Sequence, residues 1–136
     1  MRSVYLDASA LVKLVLDEPE SASLAEHLAD EPISFTSIVS AVEAPRAASR
    51  MTGSQRASRR AREIVDQCRT IPLDERTIAL AASAAPAALA SLDAIHLASA
   101  LAVRDLLDSA IVYDRRLAQA FRSAGLDVVA PGQSPG

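Results

Sequence analysis

Four acidic residues stand where an apolar strand or helix pattern gives way to polar sequence. They are Asp7, Glu43, Asp93 and Asp114. Asp7 ends the β-prone segment 3–7, Ser-Val-Tyr-Leu-Asp, and Asp114 ends the similar segment 110–114, Ala-Ile-Val-Tyr-Asp. In open α/β sheets, the ligand crevice lies at the carboxyl ends of the strands. One acid after a strand is usually a turn or N-cap residue, but four such acids together favour a metal pocket.

The chemistry that such a pocket supports is hydrolysis of a phosphodiester. That reaction requires a polarised phosphoryl oxygen, an activated water and a stabilised leaving oxygen, all of which bound divalent cations can provide. Mg²⁺ prefers oxygen ligands and is held by a few carboxylates together with water. Crowded carboxylates would otherwise repel one another and raise each other's pKa. The four acids by themselves therefore indicate a divalent-metal site of hydrolytic type.

The charge of the chain is divided unevenly along its length. The formal net charge is -3, yet residues 46–62 contain six arginines and no acid. The six are Arg46, Arg50, Arg56, Arg59, Arg60 and Arg62. An all-arginine segment beside acid-rich sequence is typical of a protein that binds phosphates with one surface and a metal with another. These arginines are therefore candidates for phosphate contacts, and a solvated helical face is the alternative that the charge pattern by itself slightly favours.

The length and composition predict a single α/β domain. A chain of 136 residues is long enough to bury a sizeable core. Alanine dominates the apolar residues, which favours closely packed helices around a sheet of valine, isoleucine and leucine. A lone Cys68 cannot form an intramolecular disulfide. The amino-terminal segment resembles neither a signal peptide nor a membrane span, so a cytoplasmic location is expected.

The order of patterns along the chain is strand, helix, strand, several helices, strand, helix, strand. This order predicts a three-layer α/β/α fold with a central parallel sheet of four to five strands. Strands are predicted at 3–7, 33–36, 70–73, 110–113 and 127–130. Helices are predicted from about residue 9, at about 19–28, around Glu43, up to about Cys68, and at about 74–85, 91–107 and 115–123. Pro45 falls inside the helix that carries Glu43 and is expected to bend it.

Four segments in series resemble the signature segments of PIN-domain nucleases, most closely the VapC toxins of bacterial VapBC toxin–antitoxin pairs. They are residues 5–14, Tyr-Leu-Asp-Ala-Ser-Ala-Leu-Val-Lys-Leu; 40–47, Ser-Ala-Val-Glu-Ala-Pro-Arg-Ala; 91–101, Ser-Leu-Asp-Ala-Ile-His-Leu-Ala-Ser-Ala-Leu; and 112–117, Val-Tyr-Asp-Arg-Arg-Leu. The match runs from Val4 to about Val129 in the right order and spacing. Residues 1–130 are accordingly predicted to be a PIN-like nuclease domain, and residues 131–136 a flexible tail.

The resemblance implies a Mg²⁺-dependent endoribonuclease, with Mn²⁺ able to substitute, that acts as the toxin of a toxin–antitoxin pair. It also implies a homodimer and a cognate VapB-like antitoxin that blocks the site. With RNA as the implied substrate, the six arginines of residues 46–62 are predicted to contact RNA phosphates. Carried over by position, the catalytic and metal-binding acids are Asp7, Glu43, Asp93 and Asp114, and Ser9 supplies the hydroxyl that orients Asp7. His96 follows Asp93 at i+3, and the interpretation favoured here is a packing position rather than a ligand or base.

Two other classes of protein also place acidic residues at the ends of parallel strands. A phosphatase of the haloacid-dehalogenase type needs a second Asp two residues after Asp7, where this chain has Ser9. A response-regulator receiver needs a late lysine, and the only lysine is Lys13. The remaining alternative is a non-catalytic PIN-like module that binds RNA or a partner. It stays open at this point because Val112 stands where many relatives have Thr or Ser.

Overall fold

Five short parallel strands form one sheet in the order β3-β2-β1-β4-β5. The structure is a computed structural model that describes residues 1–135; Gly136, the last residue of the predicted tail, lies outside the described residues. The strands are β1 (Ser3–Leu6), β2 (Ile33–Ser37), β3 (Arg69–Ile71), β4 (Ser109–Ile111) and β5 (Val128–Val129). The predicted parallel sheet of four to five strands is confirmed.

The central strand β1 is buried along its whole length. It pairs with β2 through Tyr5 and Phe35 and with β4 through Leu6 and Ile111. From β1 the chain first adds β2 and β3 on one side and later adds β4 and β5 on the other. The topological switch point, where α/β proteins bind ligands, therefore lies between the carboxyl ends of β1 and β4. Asp7 directly follows β1 at that point.

Helices cover both faces of the sheet. They are α1 (Ala8–Lys13), α2 (Ser21–His27), α3 (Ser40–Thr52), α4 (Gln55–Asp66), α5 (Glu75–Ala82), α6 (Ser91–Ala102) and α7 (Arg115–Ser123). Because side chains alternate along a strand, Val4 and Leu6 pack with α1, α3 and α4, whereas Tyr5 packs on the opposite face with α6 and α7. The predicted three-layer α/β/α arrangement is thus confirmed.

Some element boundaries differ from the sequence prediction. Helix α6 ends at Ala102 rather than near residue 107, and a short 3-10 turn, Arg104–Leu106, follows it. Strand β4 ends at Ile111, so Asp114 lies three residues beyond the strand and forms the N-cap of α7. Helix α3 runs without interruption through Pro45, which is buried. Glu43 therefore lies in the first turn of a continuous helix, and the bend expected at Pro45 stays a prediction.

Residues after β5 contact the loop that leads into α7. The Tyr113 hydroxyl donates a hydrogen bond to the Pro131 carbonyl at 2.8 Å, and Gln133 Nε2 donates to the Tyr113 carbonyl at 2.6 Å. The division into a domain of residues 1–130 and a tail of residues 131–136 stays a prediction. Within the described part of the chain, no helix has both the length and the apolar character that crossing a membrane requires.

Candidate active site

Asp7 is held rigidly at the amino end of α1. Its Oδ1 atom accepts a hydrogen bond from the Ala10 backbone N–H at 3.0 Å, so the side chain caps the helix. The Ser9 hydroxyl donates to Oδ1 at 2.9 Å, with Oδ2 at 3.1 Å. Only 4% of Asp7 is exposed. The carboxylate is therefore fixed at the switch point of the sheet by two local donors.

Asp93 and Asp114 approach the same region from helices α6 and α7. Asp93 lies in the first turn of α6 and is half-buried. Asp114 is exposed, and its Oδ1 atom accepts from the Leu117 backbone N–H at 2.9 Å. Both helices thus present a carboxylate at the amino end, where the helix dipole favours negative charge.

The acids are close enough to affect one another electrostatically. Burial raises the pKa of Asp7 above its ordinary value; His96 and hydrogen bonds from Ala10 and Ser9 oppose the rise, and repulsion from Asp93 adds to it. Burial also raises the pKa of Asp93, with further increases from the charges of Asp114 and Glu43. Asp93 therefore lies within electrostatic reach of each of the other three acids.

Glu43 is joined to His96 by a short hydrogen bond. His96 Nε2 lies 2.7 Å from Glu43 Oε1, and His96 Nδ1 lies 2.7 Å from the Tyr5 hydroxyl. His96 is 2% exposed, as a packing residue would be, but both of its ring nitrogens have polar partners. The packing interpretation missed these contacts. The signal available in the sequence was the i+3 spacing from Asp93, which places His96 on the same helix face as an acid of the predicted site.

The donor chemistry of the four acids fits a hard divalent cation, because all supply carboxylate oxygens. The raised pKa values of Asp7 and Asp93 fit it too, since a bound cation would relieve their burial and repulsion. Within residues 1–135, however, no three His, Cys, Asp or Glu side chains are arranged to contact a single ion. Asp7, Glu43 and Asp114 each accept a hydrogen bond from a nearby donor through one carboxylate oxygen, and a carboxylate has a second oxygen with which to bind an ion.

A cleft of about 600 Å³ opens beside these residues. Its polar lining includes Ser9, Lys13, Glu43, Arg46 and Arg50, and its apolar lining includes Val12, Val42, Ala47, Met51 and Leu92. The six arginines predicted to bind RNA are all exposed, but the fold separates them. Only two of them, on α3, line the cleft. The other four lie on α4, where Arg60 pairs with Glu63 at 3.3 Å.

A family model described as PIN domain matches residues 4–121 of the chain. The chain belongs to the PIN-domain family. Among curated PIN-domain relatives, Ribonuclease VapC47 of Mycobacterium tuberculosis is 38% identical over 133 residues, covering 95% of this chain and 97% of the relative. Ribonuclease VapC46 of the same species is 36% identical over 132 residues, covering 96% and 99%. Within the PIN-domain family, the chain therefore belongs with the VapC ribonucleases.

Two solved structures share the fold of this chain. Mycobacterium tuberculosis VapC20, described as a sarcin-ricin loop cleaving toxin, superposes with a TM-score of 0.74 at 19% identity, covering 94% of this chain and 99% of that one. A toxin–antitoxin complex from Klebsiella pneumoniae gives 0.64 at 23% identity, covering 94% and 97%. These likenesses show the PIN-like fold. The predicted family, fold and ribonuclease activity are confirmed, and the phosphatase and receiver alternatives are excluded.

Proposed function

We propose that this VapC-type ribonuclease is an endoribonuclease dependent on Mg²⁺, with Mn²⁺ able to substitute, whose metal site is formed by Asp7, Glu43, Asp93 and Asp114. The observation that carries the proposal is the burial of Asp7 and Asp93 beside other acids at the switch point of the sheet; burial chiefly, and repulsion between the acids in addition, raises the pKa of both. A cluster of charge that costs free energy when empty is expected where a cation binds.

The four carboxylates would hold the cation, and the cation would supply Lewis-acid polarisation of the phosphoryl oxygen and a more acidic water. Asp7 serves as the rigid ligand because Ala10 and Ser9 fix its oxygens. Asp93 and Asp114 are more exposed than Asp7, so RNA and water can reach a cation held by them. Glu43 is the acid of this set that lines the cleft, where Arg46 and Arg50 also lie.

The arginines of the cleft, Arg46 and Arg50, are proposed to hold the RNA backbone. Both lie on α3 in the lining that also contains Glu43, so a phosphate bound by them would lie near the acids. Aromatic residues make up only 3% of the chain, which limits base stacking. Phosphate contacts are therefore expected to supply most of the affinity.

Replacing Arg46 and Arg50 together by Gln is expected to weaken RNA binding and to flatten its salt dependence. The expected loss of slope is about 0.7 per phosphate contact, or about 1.4 for both, in a plot of log affinity against log salt concentration. The matched control replaces Arg59 and Arg62 of α4, which removes the same charge outside the cleft. Equal slopes for the two double variants would show that only overall charge matters and that the cleft is not the binding surface.

A VapB-like antitoxin and a second copy of the chain are proposed as protein partners, and the cytoplasm as the compartment in which RNA and antitoxin are met. The apolar side of the cleft, with Val42 and Met51 exposed beside the acids, supports binding of an antitoxin segment that blocks the site. A separate apolar groove lined by Leu73, Ile78 and Ile95 supports a homodimer contact. Ile78 is 51% exposed there and Leu73 is 40% exposed, so the groove presents apolar surface to a partner.

Metal removal tests the proposed activity. RNA cleavage by the purified protein is expected to stop in EDTA and to return when excess Mg²⁺ or Mn²⁺ is added, with cleavage fragments measured by gel electrophoresis. Zn²⁺-free buffers and a preparation of the Asp7→Asn variant serve as controls for contaminating nucleases. RNA binding without cleavage under every metal condition would favour the alternative, a non-catalytic PIN-like binding module.

A further inference from the structure

Three side chains form a continuous buried hydrogen-bond chain from the centre of the sheet to the cleft. Tyr5 is on β1, His96 on α6 and Glu43 on α3, and the two links are both 2.7 Å long. Tyr5 is fully buried, and its ring also packs edge-on against the His96 ring, with centroids 6.0 Å apart at 77°. This hydrogen-bond chain therefore has a fixed inner end at Tyr5 and a partly exposed outer end at Glu43.

The partners determine the direction of the hydrogen bonds. An ionised carboxylate only accepts, so His96 Nε2 must carry the proton and donate it to Glu43. Nδ1 then accepts the Tyr5 hydroxyl proton when the ring is neutral and donates to the Tyr5 oxygen when the ring is charged, so it pairs with Tyr5 in both states. All polar atoms of the chain are satisfied in this arrangement, and within the described residues no buried side-chain nitrogen or oxygen lacks a partner.

The same three elements also deliver three of the four acids. Asp7 follows β1, Glu43 lies on α3 and Asp93 lies on α6, three residues before His96. A hydrogen-bond chain across β1, α6 and α3 therefore sets the positions of these acids relative to one another. Asp7 has its own donors at α1, whereas Glu43 is a flexible side chain, 25% exposed, whose oxygen is held by His96.

We infer that His96, itself held by Tyr5, is a positioning residue that fixes the Glu43 carboxylate in the orientation required to bind the divalent cation. This inference rests on the proposed function, since it assigns Glu43 as a ligand. His96 does not contact RNA or the reacting atoms in this role. It reduces the number of orientations that Glu43 samples, so that the free energy of binding the cation is not spent on ordering that side chain.

Two amide substitutions separate positioning from packing. In His96→Gln the amide reaches the place of Nε2 and keeps a donor for Glu43. In His96→Asn the shorter amide reaches only the place of Nδ1, so the Tyr5 contact is kept and the Glu43 contact is lost. Both variants put a neutral amide in the same buried site, and thermal unfolding of each is measured to compare their folding.

His96→Asn is expected to raise the Kd for Mn²⁺, measured by calorimetry, by about 10- to 100-fold and to lower kcat at a fixed metal concentration, with KM for RNA unchanged. His96→Gln is expected to stay within about threefold of the wild type, since it restores the donor. Tyr5→Phe, which frees the His96 ring from Tyr5 but keeps its donor to Glu43, is expected to weaken Mn²⁺ binding by less than His96→Asn does. Equal Mn²⁺ affinity in the Asn and Gln variants would overturn the inference.

A double-variant cycle distinguishes this inference from the proposed function on which it rests. In a Glu43→Gln background, His96→Asn is expected to cause no further loss of Mn²⁺ affinity, because its effect passes through Glu43. If Glu43→Gln weakens Mn²⁺ binding but His96→Asn does not, only the positioning role is wrong. If Glu43→Gln leaves both Mn²⁺ affinity and cleavage at wild-type levels, the assignment of Glu43 as a ligand and the inference fail together.

Discussion

Replacing Asp7 by Asn is expected to lower RNA cleavage by at least about 10³-fold while the protein stays folded. Asn has nearly the same volume and keeps an oxygen that can accept the Ala10 N–H, so the cap of α1 survives. It lacks the negative charge, and one of its two polar atoms is a donor that repels a cation. Initial rates of cleavage in saturating Mg²⁺ measure the effect.

The control for this substitution is Asp127→Asn, which changes an exposed acid next to β5. It removes the same charge at a position away from the four acids and is expected to retain wild-type cleavage. Thermal unfolding should show a cooperative transition for both variants. Cleavage by Asp7→Asn at a rate close to that of the wild type would remove Asp7 from the site and with it the metal-dependent mechanism proposed here.

Replacing Asp93 by Asn is expected to change metal affinity and stability in opposite directions. Loss of one ligand should weaken Mn²⁺ binding by at least about tenfold, as measured by calorimetry. Without metal, the variant should be the more stable protein, because the ionised Asp93 is disfavoured by burial and by the charges of Asp114 and Glu43. Solvent screens this half-buried group, so we expect a gain of about 0.5 kcal/mol at most, or roughly 2 °C in Tm.

The stability gain of Asp93→Asn should depend on pH in a defined direction. The pKa of Asp93 is raised on folding, so its protonated form favours the folded state below the ordinary value of 3.8, and that contribution is lost as pH rises through the raised pKa. The Tm difference between variant and wild type should therefore grow from acid pH to neutrality in EDTA. It should shrink when Mg²⁺ is added, because the wild type gains binding free energy. A Tm difference that does not change with pH would show that burial and the neighbouring charges do not raise the pKa of Asp93.

The strands of the sheet and the four candidate acids could be identified from the sequence because their signals are local. An apolar run at residues 3–6 predicts a buried strand whatever surrounds it, and the observed β1 is buried at every position. Asp7 directly after this run predicts a residue at the strand's carboxyl end. Four motifs in the right order indicate the PIN-domain family. Membership of that family implies that Asp7 lies close in space to acids that are 36 to 107 residues away in the sequence.

For the arginine segment, the sequence does not predict which side chains lie near the acids. Residues 46–62 form one continuous basic stretch in the sequence, yet Gly53, with a positive φ of 68°, ends α3 and separates it from α4. Arg46 and Arg50 line the cleft on α3, the helix that also carries Glu43, whereas the four arginines of α4 are not among the lining residues. The net charge of a segment does not predict where each helix places its charged side chains in the fold.

The sequence by itself determined the class of fold, the family and the acids that the family motif marks, since each depends on residue type and spacing along the chain. The tertiary structure alone decided that Tyr5, His96 and Glu43 form one hydrogen-bond chain, with partners 91 and 53 residues apart. Its physical basis is packing, because α6 and α3 meet at the carboxyl end of β1 only once both faces of the sheet are covered. A buried histidine has the same hydrophobic pattern whether its nitrogens are bonded to an acid or to water, and only the folded geometry distinguishes them.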